Sequence, residues 1–222
     1  MGYTMKLKST LLAAALAMAA HAGAAELITN GSFEAGTIVP NHSDAGAQQL
    51  LSGDSSTLAG WTVIGGNDIA WIGLGNPYAI NASAGNNFLD LTGWHDQSAT
   101  GGGIKQTIAT TAGATYTLSF DIGNSNNYNF GSNDSLFVTA GNVVGQQVWT
   151  TINNQPSSWE HVTMSFVASG ATTDVSFGGG QAVWYIGLDN VSVTAAVPEP
   201  SSALMLGAGL LGMGAWLRRR RS

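Results

Sequence analysis

Hydrophobic and polar residues alternate in short runs along the middle of the chain, instead of recurring at helical spacing. The run 115–121 places Tyr116, Leu118 and Phe120 on one face, and the run 160–168 has the same period of two. No long stretch between the two ends of the chain has apolar residues three and four positions apart. The pattern therefore predicts an all-β fold.

Ten further runs of β-branched and aromatic residues lie between Gly, Asn and Ser clusters and are predicted as strands. They are 26–29, 61–64, 69–72, 88–91, 104–110, 135–140, 143–150, 173–177, 183–186 and 188–194. Short strands joined by polar turns suit a jelly roll or related sandwich better than a parallel sheet, which needs crossover helices. We predict one β-sandwich domain over residues 26–194, with the triplets Gly101–Gly103 and Gly178–Gly180 as bends or flexible turns.

The N-terminus has the three parts of a secretory signal. Lys6 and Lys8 precede the apolar run 11–20, and small residues follow it. A run of this length is too short to span a bilayer. We predict a signal peptide over residues 1–25 that the secretory signal peptidase removes.

The C-terminus combines a short motif, an apolar segment and a basic cluster. The segment 201–217 is uncharged and is predicted to be a transmembrane helix at the lower limit of length. The basic cluster is expected to hold its own end on the cytoplasmic side of the inner membrane. The motif is Val197, Pro198, Glu199 and Pro200, and the cluster is Arg218, Arg219, Arg220 and Arg221.

This order of triplet, apolar helix and arginine cluster over residues 195–222 resembles the PEP-CTERM sorting signal of Gram-negative bacteria. The resemblance implies recognition by the membrane protease exosortase, which cuts near the triplet and releases or transfers the protein. It also implies transient anchoring in the inner membrane and a final location at the cell envelope, cell surface or extracellular matrix.

Charge and composition narrow the possible partners. The chain has 222 residues and no cysteine, so disulfides do not stabilise the exported domain. Lys105 is the only Lys or Arg between Glu26 and Pro200, whereas all 13 acidic residues lie in that segment, which gives it a net charge of −12. Binding to phosphate backbones requires clustered Lys and Arg, so a nucleic-acid partner is excluded.

Four sequence elements occur in an order that resembles galactose-binding-like jelly rolls, including several families of carbohydrate-binding modules. They are residues 27–34, Gly60 with Trp61, residues 113–120 and residues 187–193. The resemblance implies sugar binding, as in many members of that fold, although other members serve adhesion or packing.

The same resemblance implies a structural calcium ion held by Glu34 and Asp189, which match family ligand positions. Two carboxylates with loop carbonyls would tie the first strand to the last. A chelator is then expected to lower the melting temperature. The alternative is that Glu34 caps backbone amides and Asp189 accepts turn hydrogen bonds without a metal.

Candidate sugar-binding residues lie in two predicted loops. A pyranose ring needs a flat aromatic face, and its hydroxyls need amide or carboxylate partners. Trp94 and Tyr128 are predicted to stack, and Asp96, Asn126 and Asn127 to form hydrogen bonds. The alternative is that these residues belong to turns and core. The other tryptophans near strands are predicted to pack in the core, namely Trp61, Trp71, Trp149, Trp159 and Trp184.

No catalytic motif points to an enzyme. The chain lacks a Gly-x-Ser-x-Gly elbow, a Walker loop and a His-Glu-x-x-His zinc motif. Glu34 and Glu160 could form a glycosidase pair, but no pattern brings them together. We predict a noncatalytic exported protein without an organic cofactor that binds polysaccharide. The alternatives are a purely structural matrix or adhesion protein and a glycoside-active enzyme.

Overall fold

The structure is a computed structural model that describes residues 25–42, 44–77, 80–93, 102–124, 135–149, 158–180 and 186–196. In these segments the regular secondary structure consists of antiparallel strands, with no helix. The strands are β1 (Ala47–Leu50), β2 (Thr62–Gly65), β3 (Ile69–Ile72), β4 (Phe88–Asp90), β5 (Gly102–Ala109), β6 (Thr115–Asn124), β7 (Ser135–Ala140), β8 (Val143–Trp149), β9 (Ser158–Val167), β10 (Thr172–Gly179) and β11 (Ile186–Ala195).

The strands form two sheets that pack face to face. The six-stranded sheet has the order β1-β3-β4-β11-β6-β9, and the five-stranded sheet has the order β2-β5-β10-β7-β8. Most consecutive strands change sheet, as in a jelly roll. The predicted all-β jelly-roll sandwich is therefore confirmed.

The main core lies between the two sheets. Tyr116, Leu118 and Phe120 are buried on the inner face of β6, as the alternating pattern predicts. Phe120 meets Phe177 of the opposite sheet edge to face, with ring centroids 5.0 Å apart. Aromatic side chains from both sheets thus pack against each other in the main core. Trp61 and Trp71 are also buried in this core, as predicted.

A second, smaller hydrophobic cluster covers the outer face of the six-stranded sheet. Residues 80–87, which we call the strap, run across this face before β4 begins. Ile80 of the strap is buried against Ile72 and Phe88, and Trp159 of β9 packs against the same cluster. The strap thus keeps part of this sheet face from water.

Two sequence predictions are wrong. Gly102 and Gly103 lie in β5, and Gly178 and Gly179 in β10, where they pair across strands instead of forming bends. Ladder hydrogen bonds and the buried neighbouring side chains outweigh the low strand propensity of glycine. Trp149 is 43% exposed instead of buried, because it ends a strand at the sheet edge.

Other predictions are confirmed in part or lie outside the described residues. The predicted strand 26–29 forms only an isolated bridge from Glu26 to Thr194, and the pattern missed β1. Trp184, almost all of the predicted signal peptide, and the chain after residue 196 are not among the described residues. Within the described segments, no helix has the length and apolar character needed to cross a membrane.

Candidate functional site

Residues 27–34, the first of the four elements that resemble galactose-binding-like jelly rolls, contain a tight turn that contacts the last strand, β11. Asn30 and Phe33 have left-handed backbones, with φ of 56° and 57°. Gly31 accepts a hydrogen bond from the Val191 amide at 2.9 Å, and a Cβ on Gly31 would lie 1.9 Å from the Val191 oxygen. Only glycine fits this approach. The two ends of the domain are thus joined by direct backbone contact.

Glu34 and Asp189, the predicted calcium ligands, both hold the strap. Glu34 Oε1 accepts hydrogen bonds from the Asn86 and Asn87 amides at 2.7 Å each, and Asp189 Oδ2 accepts one from the Ala84 amide at 2.8 Å. These contacts are those expected without a metal.

The groups that face these two carboxylates do not fit a calcium ion. They are N–H donors, whereas calcium needs six or more oxygen ligands. In the described part of the chain, no group of three or more His, Asp or Glu side chains could hold a metal ion. The calcium ion stays a prediction.

Beneath the strap lies a row of polar side chains. Asp189, Asp121 and His161 lie in register on β11, β6 and β9. Ser83 of the strap donates a hydrogen bond to Asp121 Oδ2 at 2.5 Å, and His161 Nδ1 lies 2.6 Å from Asp121 Oδ1. Burial, with a smaller contribution from the charge of Asp121, raises the pKa of Asp189 to about 7. This row attaches the strap to the sheet.

We call the outer face of the five-stranded sheet the open face. Ile64, Gly103, Gly178, Phe137 and Gln147 lie directly opposite one another across its five strands. Directly paired residues of antiparallel strands point to the same side of a sheet. This row therefore places one aromatic ring beside two positions that have no side chain.

A groove of about 200 Å³ follows these glycine positions. Phe137 is 37% exposed, and Trp149, diagonal to it on the edge strand, is 43% exposed. Gln147 lies directly opposite Phe137, two residues before Trp149 on β8, and donates a hydrogen bond from Nε2 to Ser135 Oγ at 3.0 Å. The lining residues are Ile64, Gly65, Gly102, Gly103, Gly178 and Gly179. The open face thus combines aromatic surface with amide and hydroxyl groups.

The charged groups on the open face neutralise each other. Lys105 Nζ lies 3.0 Å from Asp174 Oδ2, and Thr107 Oγ1 donates a hydrogen bond to Asp174 Oδ1 at 2.5 Å. The hydrogen bond from Thr107 and the nearby Lys105 lower the pKa of Asp174. The single interior cation of the chain is therefore used in a local ion pair.

The predicted sugar-binding and sorting residues lie outside the described residues, so the structure does not place them. They are Trp94, Asp96, Asn126, Asn127, Tyr128, Val197 to Pro200 and Arg218 to Arg221. Sequence reasoning missed Phe137 and misplaced Trp149. Alternation within 135–140 does put Phe137 opposite the core face, which is the one local signal for its exposure.

Comparison with solved structures shows the fold. A cyclase from Fischerella sp. TAU has a TM-score of 0.54 at 18% identity, covering 79% of this chain and 99% of that chain. The Stig cyclase Fisc of the same organism has a TM-score of 0.52 at 18% identity, covering 79% and 100%. A family 35 carbohydrate binding module from Clostridium thermocellum has a TM-score of 0.43 at 14% identity, covering 68% and 100%. No curated protein sequence matches the chain.

Comparison with protein families gives two matches. The PEP-CTERM protein-sorting motif matches residues 196–221, which confirms the predicted sorting signal and indicates an exported protein sorted by exosortase at the cell envelope. DUF642, a family described as a protein of unknown function, matches residues 26–193, which is nearly the whole sandwich. The chain therefore belongs to the DUF642 family.

Proposed function

We propose that this protein is a noncatalytic polysaccharide-binding module of a Gram-negative cell surface or extracellular matrix. The observation that carries the proposal is the pair of exposed aromatic rings, Phe137 and Trp149, beside the amide of Gln147 on the open face. Aromatic faces bind the apolar side of a sugar ring, and amides and hydroxyls bind its polar edge. An exported protein at the envelope meets such polymers.

Delivery follows from the two ends of the chain. The secretory signal peptidase removes residues 1–25, and the helix 201–217 anchors the protein in the inner membrane until exosortase acts near the Pro-Glu-Pro triplet. Trp94 and Tyr128, with Asp96, Asn126 and Asn127, are proposed as further sugar contacts on the loops.

A noncatalytic role is supported by the hydrogen bonds of Glu34, one of the two carboxylates considered for glycoside cleavage. Glu34 accepts two strap amides at 2.7 Å and thus has a structural task. Glu160 lies on β9 opposite Ile122 of β6. The likeness to cyclases concerns the fold and does not bring their activity to this chain.

The test is affinity electrophoresis of the full-length chain in mild detergent. Native gels contain glucomannan, xyloglucan or dextran, and an unrelated protein in each gel controls for nonspecific slowing. We expect at least one polymer to slow the chain and no reducing ends to be released during incubation. Unchanged migration in every gel would favour the purely structural matrix protein, and sugar release would favour the enzyme.

A further inference from the structure

We propose that a sugar ring binds in the groove of the open face beside Phe137, and that the polymer is uncharged. This inference rests on the proposed function and adds the position of the ring and the class of polymer. It is carried by an exposed aromatic side chain, a groove next to it, polar partners at its edge and the charge of the face.

On the outer face of the six-stranded sheet, an aromatic ring of the chain itself lies over a pair of glycines. Gly123 and Gly187 pair across β6 and β11, and Trp159 lies directly opposite Gly123 on β9. A Cβ on either glycine would come within 2.8 Å of the Trp159 ring. The missing side chains therefore let an indole ring lie close to the backbone of two strands.

The open face has the same arrangement of strands, but among the described residues no side chain lies over Gly178. Gly103 and Gly178 pair across β5 and β10, and Phe137 lies directly opposite Gly178 on β7. A Cβ on Gly178 would meet no atom within 4 Å, so no described side chain occupies the space above it. A flat ring from outside the molecule can thus approach the backbone at Gly178, next to Ile64, whose Cγ1 would lie 3.3 Å from a Cβ on Gly103.

The dimensions suit one ring of a longer polymer. Two strands lie between β2 and β7, so about 14 Å separates Ile64 from Phe137 at a strand spacing of about 4.8 Å. The groove of about 200 Å³ is smaller than the roughly 300–1,000 Å³ of sites that enclose a drug-sized ligand. One sugar unit therefore enters the groove while its neighbours extend across Phe137 and Trp149.

Charge selects an uncharged polymer over an anionic one. Lys105 pairs with Asp174 at 3.0 Å, so the positive charge of this face is already offset by a carboxylate. The surrounding domain carries a net charge of −12 from Glu26 to Pro200, which repels polyanions. Hydroxyl groups of a neutral sugar, in contrast, find the side chains of Gln147, Ser176 and Thr139 on the same face.

A larger groove of about 390 Å³ lies near the strap, but it lacks these features. None of its described lining residues is aromatic, so it offers no surface for stacking. They are Gly36, Thr37, Ile38, Pro40, Gly46, Gly73, Leu74 and Asn87.

The experiment fills the groove without disturbing the backbone. Gly178→Leu places a side chain in open space at a position without a positive φ, so the fold is expected to tolerate it. Gly170→Leu is the matched control, because Gly170 also lacks a positive φ, and its Cβ would make only an ordinary contact with Thr172 O at 3.7 Å, at the other end of β10. Phe137→Ala removes the ring and leaves the groove open.

The readout is affinity electrophoresis of the full-length chain in glucomannan, xyloglucan and dextran, with polygalacturonate as the anionic polymer. We expect Gly178→Leu and Phe137→Ala to weaken binding to the neutral polymer by about tenfold or more, and Gly170→Leu to bind like the parent. Melting temperatures of the two leucine variants are expected to stay within about 3 °C of the parent.

The outcomes separate the two proposals. If the parent chain is slowed but Gly178→Leu and Phe137→Ala are slowed equally, the groove is not the ring position, and the loop residues around Trp94 and Tyr128 take its place. Stronger slowing in polygalacturonate than in the neutral gels would overturn the assignment to uncharged polymers. If no polymer slows the parent chain, the proposed function itself fails.

Discussion

The two outer faces of the sandwich differ in what lies over a pair of glycines on neighbouring strands. Each carries a pair of glycines on neighbouring strands, Gly123 with Gly187 on the six-stranded sheet and Gly103 with Gly178 on the five-stranded sheet. We call the outer face of the six-stranded sheet, which lies under the strap, the covered face. On this face, Trp159 lies over the glycine pair. On the open face, the space above Gly178 is empty of described side chains.

The difference comes from what holds the neighbouring aromatic ring. Trp159 donates a hydrogen bond from Nε1 to the strap at Asn81 O, 2.9 Å away, and meets Phe88 edge to face at 5.4 Å. Phe137 occupies the equivalent place beside Gly178, yet it is 37% exposed. Glycine weakens a strand, and a glycine inside a sheet often marks a bulge, a tight bend or a close approach by another group. On the covered face the chain itself supplies that group, whereas on the open face the space above Gly178 is where we propose that a sugar ring binds.

The comparison of the two faces predicts that Trp159 on the covered face and Trp149 on the open face contribute very differently to the free energy of unfolding. Trp159→Ala removes the ring from Gly123 and Gly187 and the hydrogen bond to the strap, so it should lower the free energy of unfolding by about 3 kcal/mol. Trp149→Ala, at the edge of the open face, should cost less than about 1 kcal/mol. Urea unfolding of both variants measures the difference.

The matched substitution is Trp159→Phe, which keeps a ring over the glycines but loses the Nε1 donor. We expect it to recover about half of the loss, since burial of the ring is the larger contribution. Equal costs for Trp159→Ala and Trp149→Ala would mean that the covered face is not held by its tryptophan.

The glycines themselves give the second test, with an intermediate effect. A Cβ on Gly123 would lie 2.6 Å from the Trp159 ring, so Gly123→Ala should displace the ring and cost about 2 kcal/mol. Gly178→Ala meets open space and should change stability by no more than about 0.5 kcal/mol. Thermal melts of the two alanine variants provide the comparison, and a costly Gly178→Ala would show that the space above it is filled.

Local alternation was sufficient to predict most of the fold. Tyr116, Leu118 and Phe120 face the core because every second position of β6 is large and apolar, and that signal needs no knowledge of the partner strands. The glycine triplets carry no such signal, since glycine is common both in turns and at close approaches within a sheet. What decides between them is the pairing of Gly103 with Gly178, two residues far apart in sequence.

The candidate site was harder to predict for the same reason. Trp149 looks like any strand tryptophan, and only its place on an edge strand leaves it 43% exposed. Glu34 and Asp189 were predicted as calcium ligands, and in the structure both accept hydrogen bonds from amides of the strap. The direction of an N–H or C=O group in a loop depends on its backbone conformation, which a list of residue types does not contain.

The last prediction concerns the pH dependence of stability and separates the two faces again. On the covered face, burial raises the pKa of Asp189 to about 7 from a model-compound value of 3.8, so the folded protein binds this proton more tightly than the unfolded chain. The contribution is therefore fully present below about pH 4 and is lost as pH rises through about 7, with a slope of at most about 1.4 kcal/mol per pH unit. On the open face, the lowered pKa of Asp174 acts only in more acidic solution, where stability is lost as pH falls.

Urea midpoints measured between about pH 5 and about pH 8 test this assignment. Asp189→Asn should remove most of the slope, because its side chain has no proton to exchange in this range. His161→Gln is the control, since the imidazole of His161 contacts Asp121 in the same row. A slope that survives in Asp189→Asn but disappears in His161→Gln would move the pH response from the buried carboxyl to the imidazole. In either case the response would belong to the row that fastens the strap. The proposed sugar binding on the open face should stay constant over the same range, because the lowered pKa of Asp174 keeps that carboxyl charged there.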